Sequence, residues 1–129
     1  MKQKLLNYFQ GDDLAAEVWM DKYAAEGEET PDDMHKRMAK EFARIDKAYQ
    51  EKENDITHLS FYGQQRGKLS DSAIYELFKD FKYVVPQGSI MSQLGVESIG
   101  SLSNCFVVGS PSDSYGGIFR ADEELVQLM

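Results

Sequence analysis

The sequence predicts an α+β chain, with a helical region over residues 1–82 and a region of strands and turns over residues 83–129. Charge is the first reason: residues 1–82 contain 17 acidic and 13 basic side chains, whereas residues 83–129 contain five acidic side chains and one basic side chain, Arg120. Composition is the second, because the Gly, Ser, Val and Ile that dominate after Tyr83 favour strands and turns over long helices. We therefore expect a boundary near Tyr83.

Four helices are expected before that boundary. Gln3 to Phe9 is predicted to form a short first helix, and Asp12 or Asp13 is predicted to cap the second. The strongest start signal is Thr30 to Asp33, which supplies an N-cap hydroxyl, a proline at the first helical position and an acid three residues after the cap. Ser70 is predicted to cap the last of the four.

The helix that begins at Pro31 is predicted to run to about Tyr49. Apolar residues recur along it at steps of four, four, three and four, which draws one stripe on an α-helix. These residues are Met34, Met38, Phe42, Ile45 and Tyr49. We expect the stripe to form the core of the helical region, and residues 51–68 to form a long connection after it.

In the second region, Asn104 to Val108 is predicted to be a buried strand and Pro111 to Tyr115 a turn. Asp113 or Ser114 is then expected to cap a helix from about Gly116. No Gly, Asn or Pro marks the end of that helix, so we expect the chain to be a fragment of a longer protein.

Charge and composition exclude several classes of protein. With 22 acidic against 14 basic side chains the net charge is −8, which disfavours a nucleic-acid-binding surface because phosphate repels an acidic face. No apolar stretch approaches the roughly 20 residues that span a bilayer, and no signal peptide is visible. One cysteine cannot form an internal disulfide, so we expect a soluble, cytoplasmic protein.

Taken alone, the polar residues indicate no catalytic site. Cys105, on an apolar strand, is most simply a buried small side chain. His35 lies on the charged side of its helix and His58 is far from it in sequence, so both are interpreted as solvated. The acidic cluster over residues 26–33 lacks the pattern of a calcium loop and is interpreted as a solvated helix start. No metal site is predicted.

Three blocks of sequence resemble ribonucleotide reductase large (catalytic) subunits, in the same order: Val85 to Ser92, Ser101 to Val108 and Asp113 to Ile118. In that family a helical N-terminal region precedes a ten-stranded α/β barrel. The first barrel strand carries a redox cysteine in a Leu-Ser-x-Cys-Phe-like context, and an Asp-Ser pair follows. The opening from Tyr8 to Ala16 is most similar to the adenosylcobalamin-dependent group. The resemblance implies an α/β fold in which the second region begins the catalytic barrel.

The resemblance also implies residue roles. Cys105 would lie below the ribose, protonate the departing 2′-hydroxyl and supply half of the dithiol that is oxidised in each turnover. The positions that match contacts to substrate phosphate or ribose are Gly88, Ser89, Ser103 and Asn104. Asn104 stands where many relatives carry Ser, although an amide also donates and accepts hydrogen bonds. Asp113 and Ser114 match positions that hold a deoxynucleoside triphosphate effector, with helix capping as the other interpretation.

The implied function is that of the N-terminal part of a ribonucleoside-diphosphate reductase, which makes deoxyribonucleotides for DNA replication by radical chemistry. Its implied cofactor is adenosylcobalamin, or alternatively the radical of a dimetal small subunit. A dithiol reductant such as thioredoxin and a homodimeric parent are also implied. With one cysteine, the fragment alone is expected to be inactive. The alternative is a small acidic protein-interaction module in which Cys105 is a core residue.

Overall fold

The computed structural model describes residues 2–52, 59–65 and 69–128. Over these ranges the chain forms α-helices and one 3₁₀ turn, in the order α1 (Lys2–Tyr8), α2 (Asp13–Lys22), α3 (Pro31–Lys52), α4 (Phe61–Gln65), α5 (Asp71–Phe78), the 3₁₀ turn (Lys79–Phe81), α6 (Gly88–Gln93) and α7 (Tyr115–Leu128). The described ranges contain no β-strand. The predicted α+β fold, with the start of an α/β barrel after residue 82, is therefore wrong for this structure, which is all-helical where it is described.

Two helices begin at the caps that the sequence predicts. The Asp12 carboxylate accepts a hydrogen bond from the backbone N–H of Ala15 at 2.9 Å, before α2. Likewise, the Ser70 hydroxyl accepts from the backbone N–H of Ala73 at 3.2 Å, before α5. Each cap satisfies a backbone donor that the first turn of a helix leaves without a partner.

Helix α3 begins at Pro31 as predicted, and the side chain that caps it is mainly that of Asp33. The Asp33 carboxylate accepts from the backbone N–H of Thr30 at 3.2 Å and from the Thr30 hydroxyl at 3.3 Å. The helix continues to Lys52, beyond the predicted end at about Tyr49.

The core lies where α3 packs against α5, with α1, α2 and α6 around them. Met34 and Met38 are fully buried, which confirms the first half of the predicted stripe, and Phe42 lies over Phe78 with ring centroids 5.8 Å apart. Tyr49 is 66% exposed, so its predicted place in the core is wrong. The reason is length: α3 has 22 residues and α5 has 8, so α5 covers only part of α3.

His35 is also buried, with no exposed surface, so its interpretation as a solvated histidine is wrong. The buried face of α3 is wider than the stripe and includes this position. His58 lies outside the described residues, as do the other residues of 53–58 and 66–68 within the predicted connection. Helix α4 occupies part of that connection.

The second region departs most from the prediction. Residues 88–93 form helix α6 where strands and turns are expected, and Leu94 after it is buried in the core. Asn104 to Val108 has no regular secondary structure, and Val107 is wholly exposed. The predicted buried strand is wrong because a strand needs a neighbouring strand to satisfy its backbone, and the described ranges contain none.

Helix α7 is confirmed at Tyr115–Leu128, although its apolar side chains are largely exposed. None of the helices in the described ranges is both long enough and apolar enough to cross a membrane. The domain boundary near Tyr83 stays a prediction.

Candidate functional site

The residues expected to bind substrate meet where α6 begins. The backbone N–H of Ser89 donates to Oδ1 of Asn104 at 3.2 Å, across fifteen residues of chain. Gly88 is the first residue of α6, while Ser103 and Asn104 lie in the irregular segment that leads to Cys105. The structure therefore brings together two of the sequence blocks that carry the resemblance.

The contact follows from the geometry of a helix start. The first N–H groups of an α-helix have no hydrogen-bond partner within the helix. At the N-cap of α6, the side chain of Gln87 does not accept a hydrogen bond from them. The Asn104 amide oxygen satisfies one of these donors. The side-chain hydroxyl of Ser89 is buried and has no hydrogen-bond partner among the described residues. Ser89 thus contributes a backbone donor that is fixed and a buried hydroxyl that has no partner among the described residues.

Cys105 is a free thiol and is exposed. Every residue from Ser101 to Gly116 is exposed as well, so the thiol lies on an open segment and not in the apolar core. Exposure makes the thiol accessible to a substrate or to a second thiol.

A buried ion pair beside α6 was missed by the sequence reasoning. Arg37 Nε lies 2.7 Å from Glu28 Oε1, and the two side chains are 13% and 9% exposed. The interpretation of the acidic cluster as solvated is therefore wrong for Glu28. Arg37 is three residues after Met34 on α3, so its side chain borders the buried stripe, and that spacing is the signal that could have found it.

The described residues contain no group of three or more His, Cys, Asp or Glu placed to hold a metal ion. Carboxylates of the acidic cluster are engaged with cations of the chain, in the pairs Glu28–Arg37, Glu29–Lys4 and Asp32–Lys36. Three carboxylates of the cluster thus already have a cationic partner within the chain.

The residues expected to bind an effector lie at the start of α7. The Ser114 hydroxyl accepts from the backbone N–H of Gly117 at 3.0 Å, so Ser114 and not Asp113 makes the capping hydrogen bond. Gly117 permits the preceding loop to fold onto the helix, because a Cβ there would lie 2.2 Å from Ser112 Oγ. The loop and α7 enclose a shallow cleft of about 270 Å³ that Arg120 also lines. No hydrogen bond or ion pair among the described residues joins this start to the Ser89–Asn104 contact.

Burial perturbs titratable groups inside the helical region. Burial lowers the pKa of His35, against the nearby carboxylates of Asp32 and Asp80, which act to raise it. Burial also raises the pKa of Tyr8 to about 12, and the same two carboxylates add to that effect. Both groups are therefore neutral near pH 7.

No protein-family model, curated protein or solved structure matches this chain. Any functional assignment therefore rests on the sequence blocks and on the geometry described above.

Proposed function

We propose that these residues are the N-terminal part of a ribonucleotide reductase catalytic chain, with Cys105 as one half of its redox cysteine pair. The observation that supports the proposal best is the hydrogen bond from Ser89 to Asn104. It joins two residues expected to touch substrate, and the second of them directly precedes an exposed thiol. The alternative, in which Cys105 is merely a core residue, is disfavoured by that exposure.

In the proposed reaction the Cys105 thiol has two roles, proton donor and partner in a disulfide. Cys105 protonates the 2′-hydroxyl as the C2′–O bond breaks and water leaves, and its sulfur then joins that of a second cysteine. Over the whole reaction two thiols lose two protons and two electrons and become one disulfide, while the sugar gains a C–H bond in place of C–OH. Because these 129 residues contain one cysteine, the second must come from further along the chain. A dithiol such as thioredoxin then reduces the disulfide by exchange.

The residues around Cys105 bind and orient the ribonucleotide. Since Asn104 Oδ1 accepts from Ser89, the Asn104 side-chain NH₂ is left to donate to an oxygen of the ribose or phosphate. Ser89 takes part through its backbone N–H, which orients Asn104, and Gly88 and Ser103 complete the lining. An amide at position 104 therefore serves where many members of the family carry Ser.

Asp113 holds the deoxynucleoside triphosphate effector in this proposal. Because Ser114 makes the capping hydrogen bond, the Asp113 carboxylate is left to accept from the sugar hydroxyl of the effector. Ser114 contributes mainly by fixing the start of α7.

Adenosylcobalamin, or alternatively a dimetal small subunit, would supply the radical that begins the reaction. The described residues include no cluster of three or more His, Cys, Asp or Glu placed to hold a metal ion, so they do not fit a dimetal centre of their own. We further propose a cytoplasmic, homodimeric parent protein.

The proposal is tested by reading the gene beyond the codon for Met129 and expressing the complete chain. We expect a Gly-rich loop and further cysteines downstream, and formation of deoxyribonucleotide from ribonucleotide with a dithiol and adenosylcobalamin or a small subunit. A frame that closes without a second cysteine would contradict the proposal, as would a complete chain that makes no deoxyribonucleotide with either radical source.

A further inference from the structure

The guanidinium of Arg37 contacts the carboxyl end of α6 as well as Glu28. Its Nη1 donates to the backbone oxygen of Leu94 at 2.5 Å, and its Nη2 donates to that of Met91 at 2.9 Å. These oxygens belong to the end of α6, where a helix leaves its carbonyls without partners and where its dipole favours a cation. Arg37 thus provides hydrogen-bond donors for the carbonyl groups at the end of α6, a helix that is distant from it in sequence.

A helix as short as α6, with six residues, is not stable without tertiary contacts. Its carboxyl end is held on α3 by Arg37 and by Leu94, which is 5% exposed. Gly95 has φ +77°, and a Cβ there would lie 3.1 Å from Arg37 Cγ and 3.2 Å from Glu41 Cβ. The chain therefore lies close against α3 at Gly95, where the left-handed φ favours glycine, and Arg37 contacts the carbonyl groups at this end of α6.

The other end of α6 carries Ser89, whose backbone N–H reaches Asn104 beside Cys105. Because α6 is a rigid element of fewer than two turns, a shift at its carboxyl end moves its amino end by a similar distance. We infer that Arg37 is a positioning residue: by anchoring α6 it sets the place of Ser89, and through Ser89 that of Asn104. This inference rests on the proposed function only for its consequence in catalysis.

Lysine should not replace arginine in this role. Arg37 donates at once to a carboxylate and to three backbone carbonyl oxygens, those of Leu94, Met91 and Tyr23, with its planar donors in fixed directions. A lysine keeps the charge but has one compact ammonium group, which cannot span the same set of acceptors. Arg37→Lys therefore separates the geometry of the anchor from its charge.

The test compares Arg37→Lys and Arg37→Gln with the same two changes at Arg44 in the complete chain. Arg44 lies on the same helix, but it is 67% exposed and pairs only with Glu41 among the described contacts. The first measurement is hydrogen exchange at the Ser89 amide, with the amides of α5 as the reference for the fold. The second is the KM and kcat for ribonucleotide reduction.

We expect both Arg37 variants to speed exchange at Ser89 by about tenfold or more relative to α5, since neither side chain can donate to the carboxylate and to the end of α6 at once. KM should rise by about tenfold with kcat within about twofold, because positioning of a binding group affects substrate and transition state alike. The Arg44 variants should change neither quantity. Unchanged exchange at Ser89, or exchange that rises equally in α5, would overturn the inference, as would an unchanged KM in an active enzyme. A wild-type chain without reductase activity would overturn the proposed function, while the exchange data would still decide whether Arg37 positions Ser89.

Discussion

The ring of His35 meets the ring of Phe81 edge-on, with centroids 4.6 Å apart and planes inclined at 79°. Asp80 and Phe81 both have left-handed backbone conformations, at φ 55° and 54°, which non-glycine residues seldom adopt. Neither ring nitrogen of His35 has a hydrogen-bond partner among the described residues. A wholly buried imidazole therefore lies against a turn of strained backbone.

This arrangement predicts that acid weakens the fold through His35. Burial lowers the pKa of His35 in the folded chain, while in the unfolded chain the value is about 6.5. The unfolded state therefore binds the proton more tightly, so stability is complete above about pH 6.5 and falls as the pH drops below it. The urea midpoint, followed by fluorescence of the buried Trp19, should decrease from pH 7.5 to pH 5.5. His35→Leu should be nearly flat over that range, and equal slopes in the two proteins would refute the assignment.

The second prediction concerns the Glu28–Arg37 pair. Glu28→Gln leaves a buried guanidinium without its counter-ion, and it should lower the free energy of unfolding by about 3 to 5 kcal/mol. The matched control is Glu41→Gln, which breaks a pair with the exposed Arg44 and should cost about 1 kcal/mol or less. Urea titration of both variants measures the difference. Similar losses of unfolding free energy in Glu28→Gln and Glu41→Gln would show that burial does not make the Glu28–Arg37 pair more stabilising than an exposed pair.

The third prediction separates effector binding from helix capping. In the complete chain, Asp113→Asn should weaken binding of the deoxynucleoside triphosphate by about 1 to 3 kcal/mol with little change in melting temperature. Ser114→Ala should lower the melting temperature and leave effector binding unchanged, because losing the cap costs α7 about 1 kcal/mol. Effector titration and thermal unfolding of both variants decide the matter. Unchanged effector affinity and substrate preference in Asp113→Asn would remove Asp113 from the effector site.

Local signals account for what the sequence predicts correctly. The caps at Asp12 and Ser70 involve hydrogen bonds to residues three positions away, so the pattern that predicts them is contained in one turn. Helix α6 could not be found in this way, because Arg37 and the core hold it in place from far along the chain. His35 is interpreted as solvated from the sequence because charged residues such as Asp32 and Lys36 stand beside it, whereas in the structure the 3₁₀ turn packs over it.

In the candidate site, too, the features set by contacts distant in sequence are the ones that the sequence does not predict. An apolar run such as Asn104 to Val108 indicates a segment that can be buried, but it does not supply the strand that would pair with it. The contact between Ser89 and Asn104 follows from no spacing rule, and the residues were identified only through the resemblance. Arg37 was missed because a cation in a charged helix is ordinarily solvated.

The fourth prediction is that stability differs between the two regions of the 129-residue chain. Apolar side chains of the second region are exposed: Phe106 is 52%, Ile118 47% and Val126 72% exposed. Since α7 has little tertiary packing, its amides should exchange about a hundredfold faster than those in the first half of α3. Hydrogen exchange resolved by residue measures this. Exchange over residues 104–128 as slow as in α3 would contradict the exposure described here.

The central claim is that Cys105 is a redox cysteine, and Cys105→Ser in the complete chain tests it most directly. A hydroxyl replaces a thiol of similar size, so the fold and ribonucleotide affinity should remain within about twofold of wild type. Serine cannot form a disulfide, so dithiol-supported production of deoxyribonucleotide over many turnovers should be abolished. Binding that persists while multiple turnover disappears is the result that we predict. Deoxyribonucleotide production at the wild-type rate would show that Cys105 has no part in the reaction.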